Sequence, residues 1–265
     1  MNYKMKILYF TYVILCLSVL VVNAQEIDLI KTYDAPHARQ AVAVTDTHFF
    51  VVDNNVIIKR ERATGKQEGE WKDDRLKHLN SAYIQNDTLF CAHSNYPKVP
   101  MHSSIEMFDV NTMEHIGAHS FGIDIGSCTW IVEYKGEWLV MFVHYANPGK
   151  MQKNRDVSWS QLVLFDKQWR RKSAWVLPEE LIEKVAPYSI SGGVVVENDK
   201  IICTHHHFKE LYVLSFPKMG SELVWETTLT TSIRGQGIAL DTNGDLWGID
   251  KKERKVYHTK WSLKE

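Results

Sequence analysis

Apolar residues in this chain come in short runs bounded by Asn, Asp and Gly, not at helical spacing. Such runs predict buried strands joined by tight hairpins. They also recur. The first unit reads Arg39–Val44, a turn, His48–Asp53, Val56–Glu61 and Gln67–Trp71. The second reads Leu79–Ile84, a turn at Asn86 and Asp87, Thr88–His93, Ser104–Asp109 and Glu114–Phe121. The third reads Cys128–Val132, Glu137–His144, Gln161–Asp166 and Lys172–Leu177. The fourth reads Ser191–Val196, a turn at Asn198 and Asp199, Lys200–His205, Glu210–Phe216 and Glu222–Leu229. The fifth has only Gly235–Leu240, Asp245–Asp250 and Lys255–Trp261, while Ile27–Tyr33 forms a lone strand ahead of the first unit.

Repeats of four short strands predict a propeller. The expected fold is all-β, a five-bladed β-propeller whose last blade is closed by the N-terminal strand, which leaves no open sheet edge. A β-sandwich of similar strand count gives no reason for a fivefold repeat. One short helix is expected, over Pro178–Val185, where Pro-Glu-Glu opens an amphipathic run.

Residues 1–24 read as a signal peptide. Lys4 and Lys6 precede the apolar run Ile7–Val22, and Val22-Asn23-Ala24 offers small residues before Gln25. Residues 25–265 are then one propeller domain, secreted or periplasmic, and no second apolar stretch follows to span a membrane. The chain has 265 residues and a formal net charge of −1, without the basic excess of a nucleic-acid binder. After the leader, Cys91, Cys128 and Cys203 remain, an odd number best read as small buried apolar residues.

Superposing the units puts Asp53, His93, His144, His205 and Asp250 at one repeat position, the end of each second strand. In a propeller that position shares a face with the start of the first strand, here Gln40, Asn80, Thr129, Gly193 and Gln236. Three imidazoles, two carboxylates and Gln236 around one axis predict a divalent metal, Mn or Zn in preference to Ca. The other reading is a hydrogen-bonded polar plug.

Strand alternation points His207 to the mouth and His206 away, and places His48, His115 and His258 on outer surfaces. Two long loops, Ser94–Ser103 and Tyr145–Trp159, leave the same face and are expected to carry binding. Arg39, Asn80, Arg155 and Arg234 are the expected substrate contacts, a cationic rim for an anionic small molecule or oligosaccharide. His207, Tyr145 and Tyr188 are the candidate acid and base groups.

The segments His78-Leu-Asn-Ser-Ala82, Cys91-Ala-His-Ser-Asn-Tyr-Pro97, Ser191-Gly-Gly193 and Gly235-Gln-Gly-Ile-Ala239 resemble those of secreted bacterial propellers of poorly defined activity. More distantly, the chain is similar to oligogalacturonate-lyase-type propellers. That likeness implies a metal on His93, His144, His205 and Gln236. Two functions are therefore expected of the axial site. One is a metal-dependent lyase or hydrolase acting on a carbohydrate or hydroxy acid. The other is a non-catalytic propeller that binds a glycan or protein partner, since the fold hosts both.

Overall fold

The computed structural model describes residues 27–260, so the expected leader at residues 1–24 and Trp261 lie outside the described residues. Blade one is β2 (Ala41–Val44), β3 (His48–Asp53), β4 (Val56–Glu61) and β5 (Gln67–Lys72). Blade two is β6 (His78–Gln85), β7 (Thr88–Ser94), β8 (Ser103–Asp109) and β9 (His115–Gly122). Blade three is β10 (Ser127–Tyr134), β11 (Glu137–Val143), β12 (Gln161–Phe165) and β13 (Arg171–Val176). A helix, α1 (Glu179–Val185), leads to blade four, which is β14 (Ile190–Val196), β15 (Lys200–His205), β16 (Glu210–Ser215) and β17 (Val224–Thr230). Blade five is β18 (Ala239–Leu240), β19 (Leu246–Asp250) and β20 (Lys255–Lys260), with β1 (Asp28–Asp34) as its outer strand. This is the five-bladed propeller expected from the repeats, closed as expected by the N-terminal strand.

Second strands such as β3 and β11 are buried along almost their whole length, because each blade face is covered by a neighbouring blade. They therefore read as continuous apolar runs. The outer strands β5 and β9 alternate between exposed and half-buried positions. Five apolar clusters, one per blade interface, make up the described core. At the closure, Tyr33 of β1 lies 4.7 Å from Phe49 and 5.8 Å from Trp247, and its hydroxyl donates to Arg62 O at 2.7 Å. Cys91, Cys128 and Cys203 are free and buried.

The innermost strand of blade five departs from expectation. Ladder pairing was expected from Gly235, but it begins at Ala239. Gly235 has φ +48°, and a Cβ there would fall 2.6 Å from His205 O. Gly237 instead crosses to blade one, donating its N–H to Gln40 O at 2.7 Å. A side chain at Gly237 would meet Ala41 Cβ at 2.5 Å, so only glycine allows this approach. Across the axis Ser81 Oγ donates to Ser191 O, and between the neighbouring blades two and three Asn80 Nδ2 donates to Cys128 O. These contacts lie among the inner strands, which also line a pocket of mainly charged and polar residues and a smaller one of mainly apolar residues.

Candidate functional site

The polar pocket encloses about 690 Å³ at the mouth where second strands end and first strands begin. Blades one and five contribute matching sets. In blade one, Arg39 and Gln40 open the first strand and Asp53 ends the second; in blade five Arg234, Gln236 and Asp250 stand in those places. Arg39 Nε lies 3.1 Å from Asp53 Oδ2, and Arg234 Nε lies 3.4 Å from Asp250 Oδ2. Each carboxylate thus fixes one guanidinium at the rim. Lys77, Lys251, Lys252 and Arg254 complete the cationic lining, and no Asp or Glu lines the pocket. Six cations against the two supporting carboxylates leave four positive charges in excess before any histidine is counted.

His78, His206 and His207 form much of the remaining wall. Burial, reinforced by His93 and Lys251, pushes His78 down to about 4. His78 Nδ1 donates to Asn54 Oδ1 at 2.8 Å, leaving Nε2 as an acceptor. Burial and Lys251 also hold His206 well below the ordinary imidazole range, and His207 is lowered by burial, Lys251 and Arg234. Burial lowers Lys251 itself to about 8, helped by Arg234 and Arg254. Gln40 Nε2 donates to Asn54 Oδ1 at 2.8 Å, whereas its buried Oε1 has no partner. Tyr96 packs on His78 with centroids 4.9 Å apart and adds an aromatic face.

The ring position is real, and most of its ligand atoms are turned to other partners, although the buried His144 Nδ1 has none. His205 Nδ1 accepts from the amides of His207 and Phe208, each at 2.8 Å, and its ring stacks on Phe208 at 4.0 Å. His93 Nε2 accepts from Lys77 N at 3.3 Å, while Nδ1 donates to Ser104 Oγ at 2.9 Å, which donates to Glu106 at 2.5 Å. His144 Nε2 donates to Ile125 O at 3.1 Å. Asp53 Oδ1 accepts from Asn54 N, and Asp250 Oδ1 accepts from Lys252 N and Glu253 N. Gln236 lines the pocket beside His206. Among the described residues, Asp53, His93, His144, His205 and Asp250, five of the six residues expected with Gln236 to hold a metal, form no cluster of three whose ligand atoms lie within 4.8 Å of one another. Members of the set cap turns and hold rim cations instead.

Other expected residues divide similarly. Arg39, Arg234 and His207 line the pocket. His206 does too, because the strand ends at His205 and the alternation that pointed it away stops there. Arg155 lies outside, donating to Asp124 O at 2.9 Å, and Asn80 is spent in the channel wall. Tyr145 is buried behind Tyr96, its phenol pushed up by burial, and Tyr188 backs His206 and His207. Lys77, Lys251, Lys252 and Arg254 were missed by sequence reasoning, although Lys251 directly follows a ring residue.

One triad of a kind that holds divalent metals does exist elsewhere. Ligand atoms of Asp241, Asp245 and His258 lie within 4.8 Å of one another in blade five. His258 was expected on an outer surface; it is buried, with Nε2 2.9 Å from Asp245 Oδ2. Asp241 Oδ2 also accepts from Arg62 and, at 3.2 Å, from Trp247 Nε1, so a guanidinium already balances the cluster.

No protein-family model and no curated protein matches this sequence. Solved structures of similar shape include a protein of unknown function from Bacteroides caccae, with TM-score 0.47, 11% identity and coverage of 76% of this chain and 64% of that one. U3-55K aligns with TM-score 0.49 and 9% identity over 83% of this chain and 80% of its own. Hydrazine synthase of Kuenenia stuttgartiensis aligns with TM-score 0.48 and 10% identity over 84% and 71%. No function passes from these proteins to this chain.

Proposed function

We propose that this chain is an exported propeller whose axial pocket binds a small, multiply charged anion, a uronate or hydroxy-acid carboxylate. The observation that carries the reading is the unbalanced lining, six Lys and Arg side chains with no acidic residue among them. Guanidinium groups fixed by carboxylates lose little freedom on meeting a ligand, and their fork matches a carboxylate. Arg39 and Arg234, repeated in neighbouring blades, offer two such forks. The unpartnered Gln40 Oε1 wants a donor, which favours a ligand carrying hydroxyl groups. The His78–Tyr96 pair offers a flat face to a sugar ring. No metal is assigned to the pocket, because the imidazoles expected to hold one do not cluster among the described residues.

Calorimetric titration of the purified protein with digalacturonate, tartrate and galactose tests this. The two anions are expected to bind, with affinity falling as salt rises, and galactose is not. Equal binding of galactose, or no binding of either anion, overturns the reading.

A further inference from the structure

We propose that Lys251 is a nucleophile that forms a reversible imine with small oxo acids held in the axial pocket. The inference rests on the anion-binding reading above and goes beyond it to an activity. Of the three lysines lining the pocket, Lys252 is exposed and the amine of Lys77 donates to Asp74 O. Lys251 is half-buried, and its amine has no hydrogen-bond or ion-pair partner among the described residues. The adjoining carboxylate, Asp250, turns its outer oxygen to Arg234 and Lys209 at 3.4 Å each, not to Lys251. An amine set among guanidinium groups and removed from water is the standard way to hold a lysine as a nucleophile.

The proton inventory agrees. Burial, Arg234 and Arg254 bring Lys251 to about 8. Roughly a tenth of the amine is then free base at pH 7, against well under about a thousandth for an ordinary lysine. The amine lone pair attacks the carbonyl carbon and the C=O pair moves onto oxygen. One proton passes from nitrogen to that oxygen, giving a carbinolamine. Its hydroxyl then leaves with a second proton as water, and the protonated imine remains. No oxidant or reductant is needed. The transfer from nitrogen to oxygen calls for a neutral base nearby, and His78, His206 and His207 all sense the Lys251 charge while burial keeps them unprotonated; the proton that leaves with the hydroxyl is taken from solvent at the open mouth of the pocket. Arg234 and Arg254 are placed to hold the carboxylate of the same molecule.

The test is reductive trapping. The protein is incubated with 2-oxoglutarate and sodium cyanoborohydride, and the adducts are mapped by peptide mass spectrometry. Lys251 is expected to be modified at least tenfold faster than any other lysine. Excess glutarate, which has no carbonyl, is expected to block that adduct, and Lys251→Arg to abolish it. Glutarate alone reports on the pocket through the melting temperature. A glutarate shift without a Lys251 adduct, or with adducts spread evenly over the lysines, overturns the imine and leaves the anion site standing. Absence of both overturns both.

Discussion

His205 and Asp250 end the second strands of adjacent blades and perform one task with different atoms. An imidazole Nδ1 in one blade and a carboxylate Oδ1 in the other accept the amides two and three residues ahead, at 2.8 and 2.8 Å for His205 and 2.9 and 3.1 Å for Asp250. In these two blades the ring residue is thus an acceptor that bends the chain past the strand end. Replacing His205 by Ala leaves two part-buried amides without a side-chain acceptor and is expected to cost about 1–2 kcal/mol. His205→Asp is expected to recover part of that loss. Urea unfolding of the three proteins decides.

Stability is expected to fall below neutral pH because of buried histidines. His78, His93 and His205 are each held near a pKa of about 4 by burial, against an ordinary value of 6.5. A depressed imidazole is neutral in both states above 6.5, so its contribution is intact there. Between 6.5 and 4 the unfolded chain takes up the proton and the folded one resists, so stability is lost as pH falls through that window. Three such groups give a slope approaching about 4 kcal/mol per pH unit. Urea midpoints between pH 7.5 and 5 measure it, and His78→Gln should flatten the slope by about one proton.

Anion affinity is expected to fall in the alkaline range. Lys251 is charged below about 8 and neutral above it, so a bound carboxylate loses one cation as pH passes that value. Calorimetric titrations with tartrate at pH 6.5, 8 and 9.5 should weaken in that order. Arg234→Ala should weaken binding about tenfold or more at every pH, since a charge-assisted contact contributes about 1.5–3 kcal/mol.

The ring closure has an identifiable anchor. Tyr33 touches Phe49 and Trp247 and donates to Arg62 O. Tyr33→Ala empties that seam and is expected to lower stability by about 3–5 kcal/mol, read by urea denaturation.

The triad in blade five supplies a metal test. Arg62 already sits on Asp241 beside Asp245 and His258. Arg62→Met removes the competing cation, so zinc is expected to raise the melting temperature of that variant more than that of the wild type.

The architecture was legible because strand periodicity and hairpin turns are local and repeat five times. His48–Asp53, Val56–Glu61 and Lys200–His205 were located to the residue. The site was legible only in part. Superposing units found the face, and Arg39, Arg234, Gln236 and His207 on it, because strand ends are fixed by topology. Lys251, Lys252 and Arg254 escaped because they lie in a turn, where no periodicity says which way a side chain points. The metal ring was overread for a related reason. Sequence places the imidazole of His205, but its Nδ1 lone pair is spent on amides that only the folded turn brings near.

Pairing of β1 with β20 sets Asp28 opposite Lys260 and Asp34 opposite Lys255. β1 therefore has no hydrogen-bonding mate until the other four blades and β20 have been made. Blades one to four can assemble in order from neighbours in the chain, but the circle joins only once β20 has emerged. Any product released early would carry two unpaired ribbons, one at each terminus, ready to join each other's counterparts on a second molecule.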